Sequence, residues 1–76
     1  MLDLYILETC PYCKKVMEFL KENNIKFNKH DVSEPENYEA LQELGGKSQI
    51  PFLIDEDSGV KMYESDEIIE YLKSKM

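Results

Sequence analysis

The chain has no tryptophan and no arginine, a single histidine, two cysteines, and three residues each of glycine and proline. Each scarcity excludes something. Two cysteines cannot form the multi-disulfide framework that small secreted domains use to offset a thin core. They are Cys10 and Cys13, three residues apart, so a bridge between them would close a tiny loop and remove little entropy from the unfolded chain. With so little Gly and Pro there is no flexible linker or low-complexity block, and the few that occur punctuate periodic segments. No apolar run reaches the roughly 18–20 residues that span a bilayer, and the N-terminus lacks the basic flank and cleavage site of a secretory signal. The expectation is one soluble, cytoplasmic domain over residues 1–76.

Charge of one sign is also in short supply. Nine lysines face 16 Asp and Glu, a formal charge of −7, which disfavours nucleic acid as a partner because phosphates would be repelled. What is present is an ordinary globular composition, 42% hydrophobic and 33% charged, enough for a core but not for a second one.

Leu2 to Leu7 is apolar apart from Asp3, as expected of a central strand covered on both faces. From Tyr12 to Asn23, Cys13, Val16, Met17 and Leu20 recur at helical spacing with Phe19 beside them, and Lys and Glu fill the other face. Ile25 to Asp31 reads as a second strand. Ser33-Glu34-Pro35 offers a cap and a first-turn proline for a helix with a thin stripe of Tyr38, Leu41 and Leu44, ended by Gly45-Gly46. Phe52–Ile54 and Val60–Tyr63 flank the turn-rich Asp55-Glu56-Asp57-Ser58-Gly59 as a β-hairpin. The last helix, Asp66 to Lys75, carries Ile68, Ile69, Leu72 and Met76 on one face, with Ser65 as its expected cap. The order is β-α-β-α-β-β-α, a four-stranded mixed α/β sheet with helices on its faces.

The chemistry concentrates at Cys10-Pro11-Tyr12-Cys13. Proline favours the first helical position, so Cys10 is the expected N-cap, its sulfur within reach of the Tyr12 and Cys13 amides. Amide donors and the helix dipole favour the thiolate; such sites bring cysteine pKa values from about 8.5 to roughly 3.5–7.5. Cys13, a turn deeper, faces inward. The asymmetry makes Cys10 the nucleophile and Cys13 the resolving thiol of a redox pair. The rival is a metal: zinc wants four ligands, and two cysteines with His30 supply three, so a site could close only between two chains. Otherwise His30 is a surface or packing histidine. Lys14 and Lys15 either add positive field near Cys10 or serve solubility.

Cys-Pro-Tyr-Cys in this element order resembles the glutaredoxins, over essentially the whole chain. The resemblance implies the thioredoxin fold and a glutathione-dependent thiol–disulfide oxidoreductase, with glutathione as co-substrate and no resident metal. Its partners would be disulfide-containing or glutathionylated proteins, and a monomer is expected. Ile50-Pro51 is similar to the family's Val-Pro, which implies a cis bond where sequence alone favours trans. Tyr63-Glu64-Ser65-Asp66 is similar to the segment that holds the γ-glutamyl group in glutaredoxins and in glutathione transferase N-terminal domains. A helix start there suits the carboxylate, and the Asp66 side chain suits the ammonium. By the same resemblance Thr9 and Pro11 support the cysteine turn, Tyr12 flanks the groove, and Gln49 stands where the family has Thr. Leu7 replaces a lysine that many glutaredoxins carry, and Lys47 is expected to meet the glycyl carboxylate in its place.

Two rival readings accompany this one. The same chemistry could draw electrons from a flavoprotein reductase, or Cys10 could belong to a binding module, an iron–sulfur or metal-linked dimer.

Overall fold

A computed structural model describes residues 2–75. The elements follow as β1 (Leu2–Ile6), α1 (Pro11–Glu22), β2 (Phe27–Asp31), α2 (Pro35–Gly45), β3 (Phe52–Asp55), β4 (Val60–Tyr63) and α3 (Ser65–Ser74). The strands form one sheet in the order β2-β1-β3-β4, with β1 parallel to β2 and antiparallel to β3, and β3 antiparallel to β4. Met76, expected on the apolar face of α3, lies outside the described residues.

Strand alternation divides the apolar residues between the two faces of the sheet. Leu4, Ile6 and Leu53 pack with Cys13, Val16 and Leu20 of α1 and Ile68 and Leu72 of α3. Tyr5, Phe52 and Ile54 face the other way, toward Val32 and Leu41. The central position of β1 explains its nearly continuous apolar run. On the second face four aromatic rings form a row across all four strands. His30 stacks on Tyr5 at 4.6 Å, Tyr5 meets Phe52 at 5.9 Å, and Phe52 meets Tyr63 at 4.7 Å between centroids. Their register places each opposite the next, so cross-strand pairing holds the row together. His30 is thus a packing residue, and its Nε2 lies 2.9 Å from Asp3 Oδ1.

Several boundaries differ from the sequence reading. Asn24 adopts φ 54°, and Ile25 N–H bonds Leu20 O, so Ile25 belongs to the helix exit and β2 begins at Phe27. Within Ser33-Glu34-Pro35 the cap of α2 is Glu34, directly ahead of Pro35, and the Ser33 amide is taken by Asp31 Oδ1 at 2.9 Å. Glu64, not Ser65, caps α3, at φ 70°, which puts Ser65 in the first turn. Of the α2 stripe only Leu41 is buried, while Tyr38 and Leu44 remain 41% and 42% exposed because this helix touches the sheet along a narrow line. Asp55, read as a turn residue, is the last residue of β3 and only 1% exposed. It accepts hydrogen bonds from Lys75 Nζ and, at 2.6 Å, from Tyr71 Oη, which ties the end of α3 to the sheet.

Candidate active site

The chain leaves β1 at Ile6, and the Cys10 amide turns back to Leu7 O at 3.0 Å. Cys10 then takes extended angles, φ −81° and ψ 119°, as the N-cap of α1, with Pro11 following at the first helical position. Its carbonyl accepts the Lys14 N–H at 3.0 Å. The side chain makes no capping hydrogen bond, unlike the sequence reading, in which the Tyr12 and Cys13 amides held the sulfur. Cys13 is its neighbour one helical turn on, close enough for Cys10 to raise the Cys13 pKa. The two cysteines are free, Cys10 half-buried and Cys13 buried.

That burial sets Cys13 apart. Desolvation pushes its pKa up to about 12, against the Leu7 backbone hydrogen bond that lowers it, and the neighbouring Cys10 adds to the rise. At neutral pH Cys13 is a protonated thiol.

Beside Tyr12 a groove of about 460 Å³ opens. One wall is the segment Gln49-Ile50-Pro51, and the other is Glu64-Ser65-Asp66 with Tyr12 at the rim. The Ile50-Pro51 peptide is cis, as the family resemblance implied. Gln49 Nε2 donates to Glu64 Oε1 at 2.8 Å and so joins the two walls. Asp66 pairs with Lys15 at 2.7 Å, and this lysine holds its carboxyl below the usual carboxylate range.

Seven of the expected site residues therefore converge on one groove, with the cysteine pair next to it. Three stand apart. Thr9 and Pro11 flank Cys10 along the chain but do not line the groove. Lys47, expected to meet a carboxylate, places its Nζ 5.6 Å from the centre of the Tyr63 ring, and its carbonyl accepts the Tyr63 hydroxyl at 3.4 Å. Lys47 does not line the groove. Sequence reasoning missed the Lys15–Asp66 pair, because 51 residues separate the partners and no local pattern connects them. Among the described residues no three His, Cys, Asp or Glu side chains converge on a metal-sized site.

Comparison with known proteins gives the family. Residues 4–76 match the glutathione S-transferase N-terminal domain. The chain belongs to this family. A glutaredoxin-like 8.6 kDa protein, uncharacterized, from the rubredoxin operon of Clostridium pasteurianum is 35% identical over 74 residues, covering 92% of this chain and 99% of its own. A thioredoxin-like protein of known structure superposes with TM-score 0.83 at 25% identity over the whole of both chains. A glutathione S-transferase from Methylobacillus flagellatus, solved with glutathione bound, gives TM-score 0.81 at 28% identity; this chain aligns over its full length with 37% of that one. The fold is thioredoxin-like, and it is shared with a glutaredoxin as well as with transferases.

Proposed function

We propose that this family member is a glutathione-dependent thiol–disulfide oxidoreductase that reduces protein disulfides and glutathione mixed disulfides. The observation that carries the reading is the cysteine pair: a half-buried Cys10 at the start of α1 partnered by a fully buried, protonated Cys13, beside a groove that contains the cis-proline.

Cys10 attacks as the thiolate. With a glutathionylated protein, a bond forms between the Cys10 sulfur and the glutathionyl sulfur, and the old disulfide breaks. The electron pair leaves on the protein's thiolate, which takes a proton from solvent. A second glutathione thiolate then attacks the glutathionyl sulfur, which releases glutathione disulfide and restores the Cys10 thiolate. With an intramolecular protein disulfide, Cys10 attacks one substrate sulfur, the substrate S–S bond breaks and the other substrate sulfur leaves as the first thiolate, which takes a proton from solvent; the attacked sulfur, now bonded to Cys10, is the second to leave. Cys13 then loses its proton and attacks the Cys10 sulfur, expelling the second substrate thiolate, and two glutathiones reduce the Cys10–Cys13 bridge. Part of what raises the Cys13 pKa is the neighbouring Cys10 side chain. Once Cys10 is bonded that contribution disappears, so the resolving thiol becomes easier to ionise at the step that needs it.

In this reading glutathione occupies the groove beside Tyr12. Ile50 presents backbone to its cysteinyl part, the α3 start meets the γ-glutamyl carboxylate, and Asp66 meets the ammonium. The test is a glutathione-coupled mixed-disulfide assay. Cys10→Ser is expected to abolish turnover, and Cys13→Ser to retain activity on glutathionylated substrates while losing it on intramolecular disulfides. Activity surviving in Cys10→Ser removes the assignment.

One observation favours a second electron donor. Lys47 is drawn onto Tyr63, and the charged groove walls are the acids Glu64 and Asp66, an arrangement with little to attract glutathione's second carboxylate. A flavoprotein reductase would supply electrons without that contact. Turnover measured with glutathione and with thioredoxin reductase as alternative donors separates the two.

A further inference from the structure

A second groove, of about 420 Å³, lies between α1 and β2. Met17 and Phe27 form its floor, and Lys14, Lys21, Lys29 and Glu8 stand around it. Three of nine lysines surround one apolar depression in a chain whose net charge is −7. Lys29 is neutralised by Glu8 at 2.5 Å. Lys14 and Lys21 have no acidic partner among the described residues. Seven positions apart, they lie on one side of α1, about 10 Å from each other along the helix axis, with Met17 between them.

We propose that this groove docks an acidic segment of the protein substrate, with one apolar side chain seated on Met17 and Phe27 and carboxylates at Lys14 and Lys21. The charge pattern decides the sign of the partner. The apolar floor decides its class: a phosphate backbone has nothing to place on a thioether and a phenyl ring, whereas a peptide side chain does. Methionine's unbranched chain suits an adaptable contact of this kind. The position suits the chemistry, because Lys14 donates its amide to the Cys10 carbonyl at 3.0 Å, so the groove starts one helical turn from the reactive sulfur. Tyr12 and the glutathione groove lie on the other side of that turn. Docking deepens the oxidoreductase reading by naming its substrate class, yet binding at this groove requires no redox step.

The test uses the reduced protein and a fluorescent acidic peptide of about a dozen residues, rich in Asp and Glu, with one Leu and no cysteine, followed by anisotropy without glutathione. Saturable binding that weakens on raising the salt from about 0.02 M to 0.15 M is expected. Lys21→Glu should weaken it roughly three- to tenfold, as should replacing the peptide's Leu by Ser. Lys26→Glu makes the same charge change away from this groove and should leave affinity within about twofold. Circular dichroism checks that each variant is folded, and Lys21→Gln serves if the reversal is not. Equal losses in the Lys21 and Lys26 variants, equal binding of a lysine-rich peptide or an oligonucleotide, or no saturable binding would each overturn the proposal. Failure of the redox reading would show separately, as turnover that does not depend on Cys10.

Discussion

Lys15 Nζ lies 2.7 Å from Asp66 Oδ1, and this pair ties the second turn of α1 to the first turn of α3. Both side chains are largely exposed, at 56% and 83%, so the pair adds little to stability. Its consequence is orientation, because it holds the Asp66 carboxylate at the mouth of the groove, ionised where a γ-glutamyl ammonium would arrive. Asp66→Asn is therefore expected to raise the KM for glutathione roughly three- to tenfold with kcat changed by less than about twofold. Steady-state kinetics over a range of glutathione concentration measures it; an unchanged KM would place the ammonium elsewhere.

The two cysteines should differ sharply toward alkylation. Cys13 is 0% exposed and its pKa is pushed up to about 12 by burial. Iodoacetamide at neutral pH is expected to add one equivalent to the folded protein, at Cys10, and a second only after unfolding in denaturant. Mass spectrometry of the intact protein counts the additions. Equal modification of the two thiols in the folded state would contradict the burial of Cys13.

Asp55 supplies a pH dependence of stability. Lys75, and after it Tyr71, hold its carboxyl well below the usual carboxylate range, while burial works against them. The folded-state pKa lies below the unfolded one. The contribution is therefore fully present above about pH 4 and is lost as the pH falls toward the folded-state value. Urea denaturation at pH 7 and pH 3 should show a lower midpoint in acid. Asp55→Asn should cost about 1.5–3 kcal/mol at pH 7, with a smaller loss on acidification than in the parent protein. For a domain of this size each kcal/mol lowers Tm by roughly 4–8 °C.

Adjacent glycines at the end of α2 are needed for different reasons. Gly46 caps the helix at φ 79° with open space around it, so Gly46→Ala should cost about 1 kcal/mol from backbone strain alone. At Gly45 a Cβ would land 2.0 Å from Tyr63 Oη and 3.1 Å from Phe52 Cζ. Gly45→Ala must displace the Tyr63 ring from its place on Phe52 and should be the more destabilising change. Adding Tyr63→Phe, which removes the clashing oxygen, should recover part of the loss in a double-mutant cycle measured by thermal melting.

The legibility of this protein depends on how far apart the cooperating residues are in the chain. Helix α1 was readable because its apolar spacing, its N1 proline and its Asn exit all lie within one short stretch. The same stretch announced the cysteine pair and which of its members faces inward. The cap of α3 lies one residue before Ser65, because Glu64 takes φ 70°, a backbone angle that no local pattern of this sequence signals. Asp55 was read as part of a turn, since an acid beside Glu56, Asp57 and Gly59 has that local signature. Its partners Tyr71 and Lys75 arrive only when α3 packs back on the sheet.

The sequence by itself determined the element order, the apolar stripes of the first and last helices, and a redox-capable turn at the start of the first helix. All three follow from periodicity and from capping chemistry among near neighbours. The tertiary structure alone decided that Gln49 meets Glu64, that Lys15 meets Asp66, that Lys47 turns to Tyr63, and that Lys14, Lys21 and Lys29 surround one apolar hollow. Such meetings depend on strand order and helix docking, which bring distant segments together through packing that no local pattern encodes.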